Sequence, residues 1–383
     1  MAKILFLVPN DWYLFSHRQE LLATLIEKGH DVHVLTEISV KTADIPKPLD
    51  KATFHPFIGK GYGHDGLVGV YAQMKVIRKI IKCVSPDIIH IITIRFLFLA
   101  PYLSFGFKYN TVISIAGLGG LKNLSPQRQI FVGGFLWLAR RFLGSRRVRY
   151  IFQNTIDAET LIGQPFAPLV EKGVYLIRGA GVDIMQFSFC SDIVARADRL
   201  LFAGRLLRSK GVLDFIEVAK SLDKSHGLRP TIAGRIDSHA SDSLGKDEIL
   251  QATQNTDVEL FFDCQEIDKL MQETAIFVLP SRYAEGLPKV VLEAMATGAV
   301  VITTDWPDHD KVIDDGKTGM IIRKSELTPA ELEKSILALV NDNKLRIAMA
   351  TKARKAIEKR FSAKDIVDQH LKVYDTWIKE TND

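Results

Sequence analysis

The stretch FVLPSRYAEGLPKVVLEAMATGAVVITTD, Phe277 to Asp305, reads as strand, loop, helix and strand, and this order decides the fold class. Its two strand segments are short, continuous apolar runs, as parallel strands buried on both faces require. Pro288 falls where the first helical residue is expected; its fixed φ suits that position and its missing N–H costs nothing there. Gly286 lets backbone approach a ligand closely. The free amides and positive dipole end of the helix point at the loop holding Glu285, a setting suited to phosphate or sugar oxygens.

The same alternation extends in both directions. Ile4–Val8 is an apolar run; Leu21, Leu22, Leu25 and Ile26 recur at helical spacing; Gly29 follows as a C-cap, and Val32 and Val34 open the next strand. Further strands are expected at Asp87–Ile92, Thr111–Ile115, Arg149–Gln153 and Val174–Ile177. A second series runs through Arg199–Ala203, Thr231–Ala233, Val258–Phe262, Ile276–Leu279 and Val300–Thr304, with Val212, Phe215, Ile216, Ala219 and Leu222 on one helix between them. Ala363 to Glu380 reads as a final helix with Val367, Leu371, Tyr374 and Ile378 on one face. These patterns predict two Rossmann-like, doubly wound α/β domains, 1–185 and 186–360, with ligands in the cleft at the carboxyl ends of both sheets. Segment 361–383 is expected to return as a helix to the first domain.

A chain of 383 residues suits two such domains. Its three cysteines, Cys83, Cys190 and Cys264, are far apart and odd in number, which argues against a disulfide scaffold and for a reducing, cytoplasmic setting. The opening MAKILFLVPNDW reads as a first buried strand rather than a signal peptide. Ile88 to Phe107 is the longest apolar stretch, but His90, Arg95 and Pro101 favour a buried strand and helix start over a membrane span. Residues 1–190 hold 22 Lys and Arg against 13 Asp and Glu; residues 191–383 hold 28 against 32. A basic first half invites an anionic partner, although a plain solvated surface has the same composition.

The Phe277–Asp305 run resembles the E-x7-E signature of retaining glycosyltransferases of the GT-B fold, in glycosyltransferase family 4, with Glu285 and Glu293 as the two glutamates. Without that context, Glu293 reads as an ordinary helical carboxylate. Leu200 to Leu222, LLFAGRLLRSKGVLDFIEVAKSL, agrees with the resemblance, which implies that Gly204, Arg205 and Lys210 meet the diphosphate of a nucleotide sugar, most simply a UDP-sugar. Fixed cations there stabilise charge growing on the leaving diphosphate; arginine supplies a planar fork and lysine a point charge. By the same resemblance Gly234-Arg235 lies near the nucleotide and Cys264-Gln265 near the base, although Asp263 stands where glycine is usual. Glu293 would bond ribose hydroxyls; Glu285, Gly286, Leu287 and Pro288 would meet the transferred sugar and phosphates. No cofactor is expected beyond the donor. Asp308-His309-Asp310 has a D-x-D look, but two loop carboxylates are weak support for a metal, and none is expected.

In the first half, DWYLFSHRQELLATLIEKGHDVHVLTE, PDIIHIIT, AGLGGL, IFQNTIDAETL and LIRGAGVDIMQF look like bacterial capsule, O-antigen and lipid-linked oligosaccharide transferases. A histidine that many members carry is absent, its place taken by Ala116 or Gly117, and Asn10-Asp11-Trp12 replaces a paired-glycine loop. Asp11 or His17 is placed to relay an acceptor proton and Arg18 to hold an acceptor phosphate; a helix cap and a structural histidine are equal alternatives. Gly117 and Gly119 join this acceptor side. From Arg128 to Arg149, arginines interleave with Phe131, Phe135, Trp137 and Phe142. This suits an amphipathic helix on an anionic membrane surface, or a core helix with a basic outer face.

The resulting expectation is a metal-independent hexosyl- or N-acetylhexosaminyltransferase. It would be peripheral on the cytoplasmic face of the inner membrane and would act on a polyprenyl-diphosphate-linked or soluble glycan in polysaccharide biosynthesis. An inverting GT-B transferase or nucleotide-sugar epimerase is the nearest rival. A NAD-type oxidoreductase lacks its G-x-G-x-x-G after the first strand of either domain. Nucleic-acid binding would rest on charge bias alone.

Overall fold

The computed structural model describes residues 1–39, 45–57, 66–92, 109–117, 133, 137, 140, 143–163, 165–166, 172–193, 198–222, 227–237, 240–283 and 286–380. Backbone contacts divide the chain into two compact units: Met1–Ala180 with Lys364–Asp383, and Gly181–Ala363.

In the first unit, strands β1 (Lys3–Asn10), β2 (Asp31–Glu37), β3 (Thr53–Pro56), β4 (Ile88–Ile92), β5 (Asn110–Ile115), β6 (Val148–Phe152) and β7 (Val174–Leu176) form a parallel sheet ordered β3-β2-β1-β4-β5-β6-β7. Alternate residues of β1 serve opposite faces: Leu5 and Leu7 enter one core cluster, Ile4, Phe6 and Val8 the other. That two-sided burial is why the strand reads as one apolar run. The helix Ala363–Glu380 lays Ile366, Val367, Val373, Tyr374 and Trp377 into the second of these clusters, beside Leu21, Leu22 and Leu25 of the helix Gln19–Glu27. Each such buried side chain is worth about 1.5–3 kcal/mol of removed apolar surface.

In the second unit, β8 (Arg199–Arg205), β9 (Arg229–Arg235), β10 (Glu259–Phe262), β11 (Ile276–Leu279), β12 (Val300–Thr304) and β13 (Met320–Ile322) form a parallel sheet ordered β10-β9-β8-β11-β12-β13. The order reverses between β8 and β11. In doubly wound sheets such a reversal opens a crevice at the carboxyl ends of the two strands, where ligands bind.

The structure refines the sequence expectations at several points. Pro288 (φ −66°, ψ 113°) is the extended cap residue, and the helix runs from Lys289 to Thr297. Proline's fixed φ fits both positions, so the pattern alone could not separate them. Residues 11–27 form two helices, Asp11–His17 and Gln19–Glu27, broken at Arg18, whose φ of −133° leaves the helical region. The expected strand at the head of the Ile88–Phe107 stretch is β4; residues 93–108 lie outside the described residues.

Candidate functional site

The carboxyl end of β8 delivers Gly204 and Arg205, and the chain then closes a 3-10 turn over Arg208–Lys210. Gly204 has φ +152°, and a Cβ placed there would meet nothing within 4 Å, so the backbone borders open space. Beside it, a Cβ on Gly234 would come within 2.4 Å of Leu206 Cδ2 and 2.8 Å of the Gly204 carbonyl oxygen. That spacing keeps the ends of β8 and β9 close together.

The turn is tied to the loop after β11. The Ser209 carbonyl accepts the N–H groups of both Arg282 (2.7 Å) and Tyr283 (2.9 Å), and Lys324 Nζ donates to the Tyr283 carbonyl (3.0 Å). Ser209 also bonds Asp242 through its hydroxyl and its N–H, and the hydroxyl bond is the main cause of a lowered Asp242 pKa. At the switch point this brings Arg205 and Lys210 together on one aromatic ring: Arg205 Cζ lies 5.5 Å and Lys210 Nζ 5.4 Å from the Tyr283 centroid. Lys210 is buried, at 8% exposure. Arg205 pairs with Asp237 at 3.0 Å. Burial works against the Arg205 charge, but bonds to Asp237 and Tyr283 outweigh it and hold the guanidinium pKa above its ordinary value.

Asp263 stands at φ 53°, in the left-handed region, with its N–H on the Gly234 carbonyl at 3.0 Å. That conformation explains why glycine is usual there; aspartate is among the few residues that tolerate it. Gln265 is exposed and donates to the Asp263 carbonyl (2.9 Å), while Cys264 packs half-buried against the core. Arg235 ends β9, half-buried.

Four residues separate Tyr283 from Pro288. Gly286 and Leu287 are half-buried, and the helix Lys289–Thr297 has no side-chain hydrogen bond capping its N-terminus. Glu293 is 9% exposed and pairs with Lys289 Nζ at 2.9 Å. A lysine in a first turn opposes the helix dipole; here the buried carboxylate one turn on compensates it. Glu285 lies outside the described residues. Among the described residues no cluster of three or more His, Cys, Asp or Glu is arranged to hold a metal ion. Asp310 pairs instead with Lys311, and His309 Nδ1 with the Trp306 carbonyl.

In the first unit, Asn10 caps the helix Asp11–His17 by accepting from Tyr13 N–H at 2.8 Å. Asp11 is 2% exposed and accepts from the Ser39 N–H and hydroxyl. His17 stacks on Tyr13 at 4.5 Å and bonds Ser16 Oγ at 2.6 Å. Arg18 is 4% exposed and donates to the His17 carbonyl at 3.3 Å. Gly117 follows β5, half-buried; Gly119 and Arg128 lie outside the described residues. Deeper in the unit, His90 bonds Ser114 Oγ and the Tyr374 hydroxyl, each at 2.6 Å. His370 donates from Nδ1 to the Ile366 carbonyl at 2.9 Å.

Most of the Phe131–Phe142 segment lies outside the described residues. Trp137 is 68% exposed, whereas Arg140 donates to the Leu161 (2.7 Å) and Thr160 (3.1 Å) carbonyls, and Arg149 lies 5.0 Å over the Trp377 ring. Those two arginines therefore fasten the unit internally. Among the described residues no helix is long and apolar enough to cross a membrane.

Tyr283, Asp237 and Lys289 escaped the sequence reading. Tyr283 and Asp237 each lie two residues from a motif position, a weak signal, and their contacts exist only once β8, β9 and β11 are side by side.

Comparison with known proteins gives the following. The family model described as "Glycosyl transferases group 1" matches residues 188–356, and "Glycosyl transferase 4-like" matches residues 3–152. The chain is 27% identical over 181 residues to the capsular polysaccharide biosynthesis glycosyltransferase CapM of Staphylococcus aureus, covering 47% of this chain and 46% of that one. It is 28% identical over 245 residues to the N,N'-diacetylbacillosaminyl-diphospho-undecaprenol alpha-1,3-N-acetylgalactosaminyltransferase of Campylobacter jejuni, covering 60% and 61%. The aligned parts thus span about half to three-fifths of those relatives' lengths. Among solved structures, sucrose-phosphate synthase from Thermosynechococcus elongatus aligns with a TM-score of 0.78 at 16% identity, covering 99% and 100%. Anabaena HepE, solved with UDP and glucose, aligns at 0.74 and 19%, covering 98% and 100%. These likenesses show the fold, that of the GT-B glycosyltransferases.

Proposed function

We propose that this chain, which belongs to the group 1 and 4-like glycosyl transferases, moves a sugar from UDP-sugar to a polyprenyl-diphosphate-linked saccharide with retention at the anomeric carbon. The observation that carries the reading is the pair of cations, Arg205 and Lys210, on one ring at the switch point of the second sheet. A nucleotide diphosphate leaving a sugar gains negative charge as the glycosidic bond breaks. Two pre-placed cations favour that state over the ground state. The acceptor hydroxyl oxygen bonds the anomeric carbon on the face the diphosphate leaves, and its proton passes to the departing phosphate oxygen.

In this reading the uncapped amides of the Lys289–Thr297 helix, with Gly286, Leu287 and Pro288, serve the phosphates and sugar, and Glu285 contacts the transferred sugar. Glu293 exchanges part of its bond with Lys289 for a ribose hydroxyl. Gly204, Gly234, Arg235, Cys264 and Gln265 border the nucleotide. His17 and Asp11, with Gly117 and Gly119, serve the acceptor side. The UDP donor is supported by the HepE structures, solved with UDP and with UDP-glucose, and the lipid-linked acceptor by the name of the Campylobacter relative. Exposed Trp137 and the basic first half support peripheral attachment to the cytoplasmic face of the inner membrane.

A thermal-shift screen of UDP- against GDP-sugars tests the donor, because a ligand at a hundred times its Kd adds about 2.7 kcal/mol to folded-state stability. NMR of the product's anomeric proton tests retention. No shift with any nucleotide sugar, or an inverted anomer, would refute the reading.

A further inference from the structure

We propose that Tyr283 is a positioning residue: its ring holds Arg205 and Lys210 as a preassembled pair for a diphosphate. This rests on the donor reading above. Two like charges brought together repel each other and tend to splay apart. The electron-rich face of an aromatic ring attracts both and offsets that tendency without neutralising either. Arg205 Cζ at 5.5 Å and Lys210 Nζ at 5.4 Å from the ring centroid are both within the reach of that attraction.

The ring is itself held fast. The N–H of Tyr283 is on the Ser209 carbonyl, its own carbonyl receives Lys324 Nζ, and the preceding Arg282 is fixed to Asp214 and to the Leu327 carbonyl. Ser209 belongs to the same 3-10 turn as Lys210, so the loop that carries the ring is hydrogen-bonded to the turn that carries the lysine. Asp237 restrains Arg205 from another strand end, at 3.0 Å. Tyr283 acts through the cations, by its ring and by the side-chain bond it makes to Arg205, and takes no proton. An anion reaching the two cations would find them already held, and little ordering would remain to be done on binding.

The test compares Tyr283→Phe, which keeps the ring but loses the hydroxyl bonded to Arg205, with Tyr283→Leu, which keeps apolar bulk but loses both the hydroxyl and the ring's charge distribution. UDP and uridine binding are measured by calorimetry, with kcat and KM for the donor. The expectation is that Tyr283→Phe, which loses only the hydroxyl bond to Arg205, weakens UDP less than Tyr283→Leu, which weakens it about tenfold, lowers kcat, and leaves uridine unchanged. If Tyr283→Leu does not fold, phenylalanines of increasing fluorination at position 283 replace it, and UDP affinity should fall stepwise with fluorination. Parent-like UDP affinity in Tyr283→Leu, equal loss of uridine and UDP, or no trend with fluorination overturns the inference. Failure of the parent protein to bind any nucleoside diphosphate overturns the donor reading instead.

Discussion

Acid should unfold the first unit through its two fully buried imidazoles. Burial, with His370 and Arg18 nearby, holds the His90 pKa well below its ordinary value; burial and Arg18 push His370 down to about 3. The folded state therefore keeps both neutral where the unfolded chain, with an ordinary pKa near 6.5, takes up protons. Their stabilisation is complete above about pH 6.5 and is lost as pH falls from there toward the folded values. At pH 5 the gap costs about 2 kcal/mol for His370, and His90 adds to it in the same direction. Urea titrations at pH 7 and pH 5, read by tryptophan fluorescence, measure this. A Trp306→Phe background removes the tryptophan of the second unit, leaving Trp12, Trp137 and Trp377 to report on the first. His370→Asn keeps an amide donor for the Ile366 carbonyl and should flatten the pH dependence by about 2 kcal/mol. His30 and His55 also have lowered values through partial burial, but they are present in both proteins and cancel. Equal loss between pH 7 and pH 5 with and without His370 would refute the reasoning.

Arg205→Ala should cut kcat by about a hundredfold or more, because it removes a cation matched to charge that develops in the reaction. Glu293→Ala should instead raise the donor KM about ten- to a hundredfold, the worth of a charged acceptor on a hydroxyl; steady-state kinetics separates the two. Gly211 has φ +78°, and a Cβ there would meet the Pro280 carbonyl oxygen at 2.1 Å, so Gly211→Ala must displace the turn bearing Lys210. Urea denaturation should show about 2 kcal/mol or more lost, and calorimetry weaker UDP binding. Trp137→Ser should reduce co-sedimentation with anionic liposomes while leaving the Arg140 bonds to the helix Thr155–Ile162 intact.

The α/β class was legible because β1, β4, β8, β11 and β12 are buried on both faces and so appear as uninterrupted apolar runs. The short edge strands β3 and β13 were not, since Thr53–Pro56 is half polar and Met320–Ile322 has only three residues. Nor was the break at Arg18, because Leu14, Leu21, Leu22 and Leu25 keep one helical phase across it. Arg205 and Lys210 stood out through the local pattern of strand, glycine and basic turn. Their common partner Tyr283 lies more than seventy positions further on, and only the parallel pairing of β8 with β11 brings it near. Spacing cannot reveal such a partner. The same limit hid the bond between His90 and Tyr374, 284 positions apart.

The second unit is threaded into the first as an uninterrupted insert: residues 1–180 come before it and the helix from residue 364 comes after. The whole insert is synthesised before the segment that completes the earlier lobe. Until then the cluster around Ile4, Phe6 and Leu22 lacks Ile366, Val367, Tyr374 and Trp377 and stays open to water. A chain cut after residue 363 and released should therefore carry a finished insert on an unfinished lobe, and that lobe is where a chaperone would find its substrate.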